Sequence, residues 1–399
     1  MKKNKLLSCR LTEIIIIALI FTMVGMVSGG VAVFSVIGSN EKQVYNIEKD
    51  LEGFSNVYQQ IVDMYFEEID RQKLLEGAIK GMLSTLDDPN SSFIDFEGRS
   101  SFDDRMMGQY RGVGMEIMSD SEGNIYVVGT FDNSPAQRKG IKSGDMIISV
   151  DDVIVKSVEI ENVANLIKSP LSDTVEIKIL RDKKEIELTI EKEIVIINSV
   201  ISNTYIRDDK KIGYLQISIF AANTYSQFKE ALIELEKQNI SGLVIDVRSN
   251  SGGYLSSVAN MLELFLEEDI TLYKVETKEK ITEKFSSTGE HRDYPIAVLI
   301  NQQSASASEI LAASLNENYG AELVGTKTYG KGTVQQLIEI PGGGIAKITI
   351  QKWLTPSGNY IDEVGVEPTI EVDLGEEYLK NPIDINDLQL QTAIDQLIK

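Results

Sequence analysis

Between Asn301 and Gln336 the chain reads N-Q-Q-S-A-S-A-S-E-I-L-A-A-S and, further on, K-T-Y-G-K-G-T-V-Q-Q. Closely spaced hydroxyls and a lysine held between two glycines could carry out nucleophilic acyl chemistry. A serine is a weak nucleophile until a neighbouring base takes its proton. The chain offers one histidine, His291, in the polar turn Glu290-His291-Arg292-Asp293, where it reads as an exposed turn residue. Lysine is then the remaining base. With an ordinary pKa near ~10.4, only about one lysine in 2,500 is neutral at pH 7. Burial has to lower that value by about three units, at a cost on the order of 4 kcal/mol. Lys331, between Gly330 and Gly332, is the lysine whose surroundings suit this role. A purely structural reading would make Ser304, Ser306 and Ser308 helix caps beside a glycine turn. Capping needs one serine and no lysine.

The elements that must position these groups are also legible. The apolar run Ile296–Ile300 predicts a buried strand, and Ile310, Leu311, Ala313 and Leu315 predict a helix after the small-residue turn. A serine there sits at a helix N-terminus, where N–H groups and the helix dipole favour developing negative charge. Upstream, Ile212–Ile219 and Leu243–Val247 predict strands, with helices at Phe228–Leu235 and Leu255–Phe265, an alternation typical of an α/β core. Ser226-x-x-Lys229 matches a known nucleophile pattern by spacing alone. It lies in an ordinary amphipathic helix, and the S-D-N and K-T-G partners of that pattern are missing.

The pair S-A-S-A-S-E-I-L-A and G-K-G-T-V-Q resembles the tail-specific, or C-terminal-processing, serine peptidases. That resemblance implies Ser306 as nucleophile, Lys331 as base and Gln335 as the residue that orients the lysine. It also implies an oxyanion hole from the N–H of Ala307 and from the turn in Asp-Val-Arg-Ser-Asn-Ser-Gly-Gly, with Gly252 and Gly253 both open as the donor. Ser251 stands where the family often has proline. The same resemblance implies an α+β multidomain protein: a helical N-terminal part, a PDZ domain and a crotonase-like ββα-spiral protease core. No metal and no cofactor are needed.

Residues 104–193 resemble a PDZ domain of the bacterial protease type, on the segment S-P-A-Q-R-K-G-I-K-S-G-D-M-I-I-S-V-D. Successive N–H groups at Gly112, Val113 and Gly114 can cradle a terminal carboxylate, with the peptide added as a strand beside Met115 onward. The partners implied are polypeptides with free, apolar C-termini. Relatives often carry Ile-Arg-Gly near the end of the second helix of this module. Here Ile167-Lys168-Ser169 keeps the charge but loses the planar fork, which puts a relay through that position in doubt.

The expected organisation is 1–40, basic flank and transmembrane helix; 41–103, helical region; 104–193, PDZ domain; 194–375, protease core; 376–399, linker and last helix. Lys2, Lys3, Lys5 and Arg10 precede an uncharged run over residues 14–39 that is long enough to cross a bilayer. The basic flank predicts a cytoplasmic N-terminus and an extracytoplasmic catalytic part, with an uncleaved anchor favoured over a cleaved signal peptide. The chain's one cysteine, Cys9, falls on the cytoplasmic side, so the outer part folds without disulfides. A net charge of −22 with no basic stripe argues against nucleic acid. Val44, Ile47, Leu51, Phe54, Tyr58, Ile61 and Tyr65 form a heptad seam, read either as a homodimer contact or as a helix packed on its own domain. Two rival functions are a PDZ scaffold with an inactive protease body and a serine acyl-transferase acting on wall peptides.

Overall fold

A computed structural model describes residues 46–287, 290–341 and 343–399. The expected membrane span at 14–39 lies outside them. Among the described residues no helix is long and apolar enough to cross a membrane. The chain divides into two units, Met1–Leu74 and Leu75–Lys399.

In the first unit, α1 (Ile47–Met64) begins at Asn46, whose side chain accepts the Lys49 N–H at 3.2 Å. Glu48 and Asp50 in its first turn suit the positive end of the helix dipole. Its seam residues Ile47, Leu51, Phe54 and Ile61 are exposed among the described residues. The helix α2 (Arg71–Ser84) starts at Asp70, whose carboxylate accepts the N–H groups of Gln72 and Lys73.

The second unit begins at Leu75, within α2, and continues with β1 (Ser92–Ile94) and α3 (Phe96–Met107), the latter capped by Asp95 accepting the Gly98 N–H at 3.0 Å. A module follows: β2 (Gln109–Gly112), β3 (Met115–Ser119), β4 (Ile125–Thr130), α4 (Pro135–Arg138), β5 (Met146–Val150), β6 (Val153–Ile154), α5 (Ile160–Lys168), β7 (Thr174–Arg181), β8 (Lys184–Glu191) and β9 (Glu193–Ile196). Its sheet runs β3-β4-β5-β7-β8, all antiparallel, so β3 is an edge strand. In T-V-E-I-K-I-L-R the alternate residues Val175, Ile177 and Ile179 are buried, as one-faced strands require. A ribbon of β2 with β9, unforeseen in the sequence, fastens the two ends of the module together.

The larger body contains β10 (Val200–Arg207), β11 (Lys210–Ile217), α6 (Thr224–Glu236), β12 (Gly242–Asp246), α7 (Leu255–Leu262), β13 (Thr271–Glu276), β14 (Ile281–Phe285), β15 (Ile296–Ile300), α8 (Ala307–Ser314), β16 (Glu322–Gly325), β17 (Thr333–Glu339), β18 (Ile345–Leu354), β19 (Ile370–Glu371), α9 (Glu376–Lys380) and α10 (Leu388–Leu397). One sheet has the order β10-β11-β12-β15-β16-β19, parallel from β11 onward. Continuous apolar runs such as I-A-V-L-I suit strands covered on both faces. Residues of α6, α7 and α8 pack with Leu243 and Ile245 on one face; Leu390, Ala393, Ile394 and Leu397 of α10 pack with Val244 and Ala297 on the other. A second sheet joins β1-β18-β13-β14, with β17 paired to β18. Where the sequence suggested only an acidic linker before the last helix, the short helix α9 forms.

Candidate active site

The parallel neighbours β12 and β15 end side by side, with Asp246 opposite Leu299. Each is followed by a tight turn, so the two turns meet at the carboxyl ends of the strands, where open α/β sheets build their sites. The three candidate serines then part company. Ser304 is buried; its hydroxyl donates to the Val247 carbonyl at 2.8 Å and accepts the Asn301 N–H at 3.0 Å. Ser308 is buried, donating to the Asn250 carbonyl at 2.8 Å. Ser306 is half-buried and stands in capping position over the Glu309 N–H, and among the described residues its hydroxyl donates to no acceptor. It occupies the N-cap of α8 at φ 55° and ψ −113°, a backbone conformation rare for a residue with a side chain. Strain of this kind is kept where the surroundings over-determine it.

The turn after β12 is fixed by a fully buried asparagine. Asn250 donates through Nδ2 to the Ile217 carbonyl (2.8 Å) and accepts the Gly252 N–H on Oδ1 (2.9 Å). Its main-chain carbonyl accepts the Ala305 N–H at 3.0 Å, which stitches the two turns together. A Cβ on Gly252 would lie 2.8 Å from Ser306 Cβ, so this glycine faces the serine. The Gly252 carbonyl accepts the Phe220 N–H at 3.0 Å. In a trans peptide the next N–H, that of Gly253, points the opposite way. Among the described residues the N–H groups of Gly253 and Ala307 have no acceptor. Of the two glycines left open by the sequence, Gly252 has its N–H occupied and Gly253 does not.

The lysine loop is bound to the serine turn by Glu309, a fully buried carboxylate that sequence reasoning missed. Its Oε2 accepts the N–H of Ser306 at 2.7 Å and of Lys331 at 2.9 Å; its Oε1 accepts the Thr328 hydroxyl at 2.6 Å and the Gly330 N–H at 2.7 Å. The available signal was the spacing S-x-x-E at 306–309, a capping pattern in which Glu reaches back to the N-cap N–H. Burial pushes the Glu309 carboxyl up, while its four donors hold it down. The Tyr329 N–H reaches the Ser304 carbonyl (3.0 Å), and Trp353 Nε1 donates to the Lys331 carbonyl (2.8 Å). Gly332 lies flush on the main chain of Asp362, with 2.3 Å left for a Cβ.

Lys331 is half-buried, and among the described residues its amine has no hydrogen-bond or ion-pair partner. Burial and the nearby charge of Lys347 push it below the ordinary lysine value, against the pull of Asp88 and Glu309. Gln335 does not hold it in this structure. The amide nitrogen of Gln335 donates to the hydroxyls of Thr333 (2.8 Å) and Thr349 (3.2 Å), and no hydrogen bond joins Gln335 to Lys331. The carbonyl oxygen is the end of that amide left unengaged.

In the smaller module, the main-chain N–H of Val113 has no acceptor among the described residues, and that of Gly114 faces the Tyr110 hydroxyl. Their carbonyls are held by Ala136 N–H (2.8 Å) and by Phe131 N–H (3.0 Å) and the Ser134 hydroxyl (2.9 Å), respectively. Gly112 is tied into the ribbon opposite Glu193, and Met115 starts the edge strand. Lys168 pairs with Asp104 at 2.8 Å and lies 4.6 Å above the Tyr110 ring. His291 is exposed beside Asp293, at the end of β15 opposite Ser306. Among the described residues no group of three or more His, Cys, Asp or Glu could hold a metal ion.

Residues 211–372 match the model of peptidase family S41, residues 112–191 that of the PDZ domain, and residues 23–98 that of the activating protease CtpB N-terminal domain. The carboxy-terminal processing protease CtpB of Bacillus subtilis (strain 168) is 36% identical over 343 residues, covering 85% of this chain and 71% of that protein. CtpA of the same organism is 33% identical over 350 residues, 87% of this chain and 74% of that one. The solved photosystem II D1 C-terminal processing protease aligns over 84% of this chain and 90% of its own, at 26% identity and a TM-score of 0.49. The molecule is a serine-type peptidase that carries a PDZ domain. It belongs to peptidase family S41.

Proposed function

We propose that this chain is a membrane-anchored endopeptidase that selects proteins by their C-termini and cuts them with a Ser306–Lys331 dyad. Neutral Lys331 takes the proton of Ser306 Oγ as that oxygen bonds to the scissile carbonyl carbon. The N–H groups of Gly253 and Ala307 receive the negative oxygen of the tetrahedral adduct. Lys331 then returns its proton to the departing amine nitrogen, leaving an ester on Ser306. Water attacks the ester, its proton passes through Lys331, and Ser306 is regenerated. Gln335 steadies the lysine once its carbonyl meets the amine.

The observation that carries the reading is the pair of hydrogen bonds on one oxygen: Ser306 N–H and Lys331 N–H both end on Glu309 Oε2. The serine turn and the glycine-flanked lysine loop are thereby brought to one atom, and of the three serines the one whose hydroxyl donates to no acceptor is the one so placed. Cleavage of labelled casein by the purified chain tests it. Ser306→Ala and Lys331→Ala each reduce turnover by at least ~10³-fold; a fully active Lys331→Ala overturns the dyad.

For C-terminal recognition, the support is the open N–H of Val113 next to that of Gly114, which meets only the Tyr110 hydroxyl, beside the edge strand β3, a geometry suited to a carboxylate and an added strand. Peptides ending in a free carboxylate should bind the chain and their amidated forms should not. For the anchor and an extracytoplasmic catalytic part, the support is the basic flank and the uncharged run at 14–39. A chain starting at residue 41 should leave the membrane fraction. The uncovered seam of α1 supports a homodimer, which Leu51→Asp should dissociate in sedimentation.

A further inference from the structure

The loop Asp87–Ser91 follows α2 and leads into β1, far in sequence from the reacting groups. It nevertheless reaches them. Strand β1 lies on β18 with Ser92 opposite Lys347, and β17 lies on the same strand with Gln335 opposite Thr349. The Ser91 hydroxyl donates to Asp88 Oδ2 at 2.6 Å, and its oxygen accepts the Thr349 N–H at 3.0 Å. The Asn90 N–H donates to Asp88 Oδ1 at 2.9 Å. Thr349 in turn takes the Gln335 amide nitrogen on its hydroxyl oxygen.

We propose that Asp88 is a positioning residue for the same reaction: its anion fixes, through Ser91 and Thr349, which end of the Gln335 amide faces Lys331. The inference rests on the lysine-base reading above. Its physical basis is the one-way character of a carboxylate. An ionised Asp only accepts hydrogen bonds, so hydroxyls that meet it must donate. The Ser91 hydroxyl spends its proton on Asp88, which leaves its oxygen to accept the Thr349 N–H and fix that residue opposite Gln335. Thr349 so placed offers its hydroxyl oxygen to Gln335, which presents its nitrogen and leaves its carbonyl oxygen as the acceptor available to the lysine. Without the anion the Ser91 hydroxyl can turn round, Thr349 loses its fixed place, the amide can flip, and a nitrogen that repels the lysine N–H takes the place of the oxygen.

The charge also counts directly. Burial works against the Asp88 anion, but Ser91, Thr349, the Asn90 N–H and Lys347 hold its carboxyl below the ordinary value. Around Lys331 stand Lys347 on β18, Glu309 on α8 and Asp88 on this loop. Lys347 favours the neutral amine and the two carboxylates favour the charged one. Removing Asp88 therefore drops the lysine further while spoiling its orientation, two effects that a merely structural residue would not combine.

The test uses the purified full-length chain on labelled casein, with kcat, KM and the pH profile of kcat/KM measured for each variant. For Asp88→Asn, kcat falls at least tenfold, KM stays within twofold, and the acid limb moves to lower pH. For Thr349→Val, which leaves the carboxylate and its turn in place, kcat falls similarly and the limb stays where it was. Melting curves check folding, and should Asp88→Asn fail to fold, Thr349→Val decides. A folded variant with wild-type kcat, or a loss confined to KM, overturns the proposal. An inactive Lys331→Ala beside fully active Asp88→Asn and Thr349→Val rejects this inference alone; an active Lys331→Ala rejects the dyad itself.

Discussion

Two turns among the described residues present a pair of main-chain N–H groups, Gly253 with Ala307 and Val113 with Gly114, and only Gly114 of the four meets a side chain, the Tyr110 hydroxyl; the turns are built differently. The pair at Val113 and Gly114 is held through neighbouring carbonyls, by two backbone N–H groups and the single hydroxyl of Ser134. The pair at Gly253 and Ala307 is held by buried side chains on every side: Asn250, Ser304, Ser308 and Glu309. Both turns suit an anion. A turn that receives a carboxylate already formed can adjust around it. A turn that receives charge appearing only at the top of a barrier gains most if no rearrangement is needed at that moment. The heavier scaffolding sits where preorganisation matters more.

The sharpest way to break this contrast is at Glu309. Glu309→Ala strands four donors, so turnover should fall by ~10³-fold or more and stability by about 3 kcal/mol, read from casein cleavage and urea unfolding. Glu309→Gln, which keeps an oxygen but adds a donor among donors, should recover only part of the stability. Next comes Asn250→Ala, expected to lower kcat by ~10²-fold with KM little changed, because the Gly253 N–H loses its fixed direction. Gly114→Ala should act differently. Gly114 has φ 72°, and an added Cβ would come 2.4 Å from Ser134 Cβ, so the turn must open. Binding of a free-carboxylate peptide, followed by fluorescence anisotropy, should weaken by ~tenfold while kcat on a short peptide stays near wild type. Equal losses of kcat in Asn250→Ala and Gly114→Ala would erase the distinction.

The smallest effect concerns stability. Burial depresses the Lys331 pKa, so the folded state disfavours the ammonium that the unfolded chain keeps. Between the depressed value and the ordinary lysine value of 10.5 the unfolded state binds more protons, and folding stability rises with pH. Lys331→Met should therefore melt higher than wild type at neutral pH, and the gain should vanish as pH approaches 10.5. A gain that persists above that pH would mean that packing, and not charge, is its source.

Local pattern made the reacting stretch legible. Ile296–Ile300, the tiny-residue turn and the helix after it lie consecutively, and the order of strands and helices in the PDZ module follows from alternation and capping residues. What escaped was held by partners remote in sequence. Asn250 meets Ile217 and the serine turn, Asp88 meets strands more than two hundred residues on, and the ribbon of β2 with β9 has no pattern beyond short alternation. Gln335 was assigned a lysine partner by resemblance, yet its amide rests on Thr333 and Thr349, a choice set by which hydroxyls the sheet register brings opposite it.

Between the Gly252-Gly253 turn and α10 lies one more long-range tie. Arg248, near that turn, is largely buried between Asp246 and Asp387, the N-cap of α10, and also reaches Gln389. An arginine sequestered there without Asp387 would be left with part of its charge unanswered. Synthesis from the amino end therefore leaves Arg248, and the turn beside it, without this partner until Asp387 has been added.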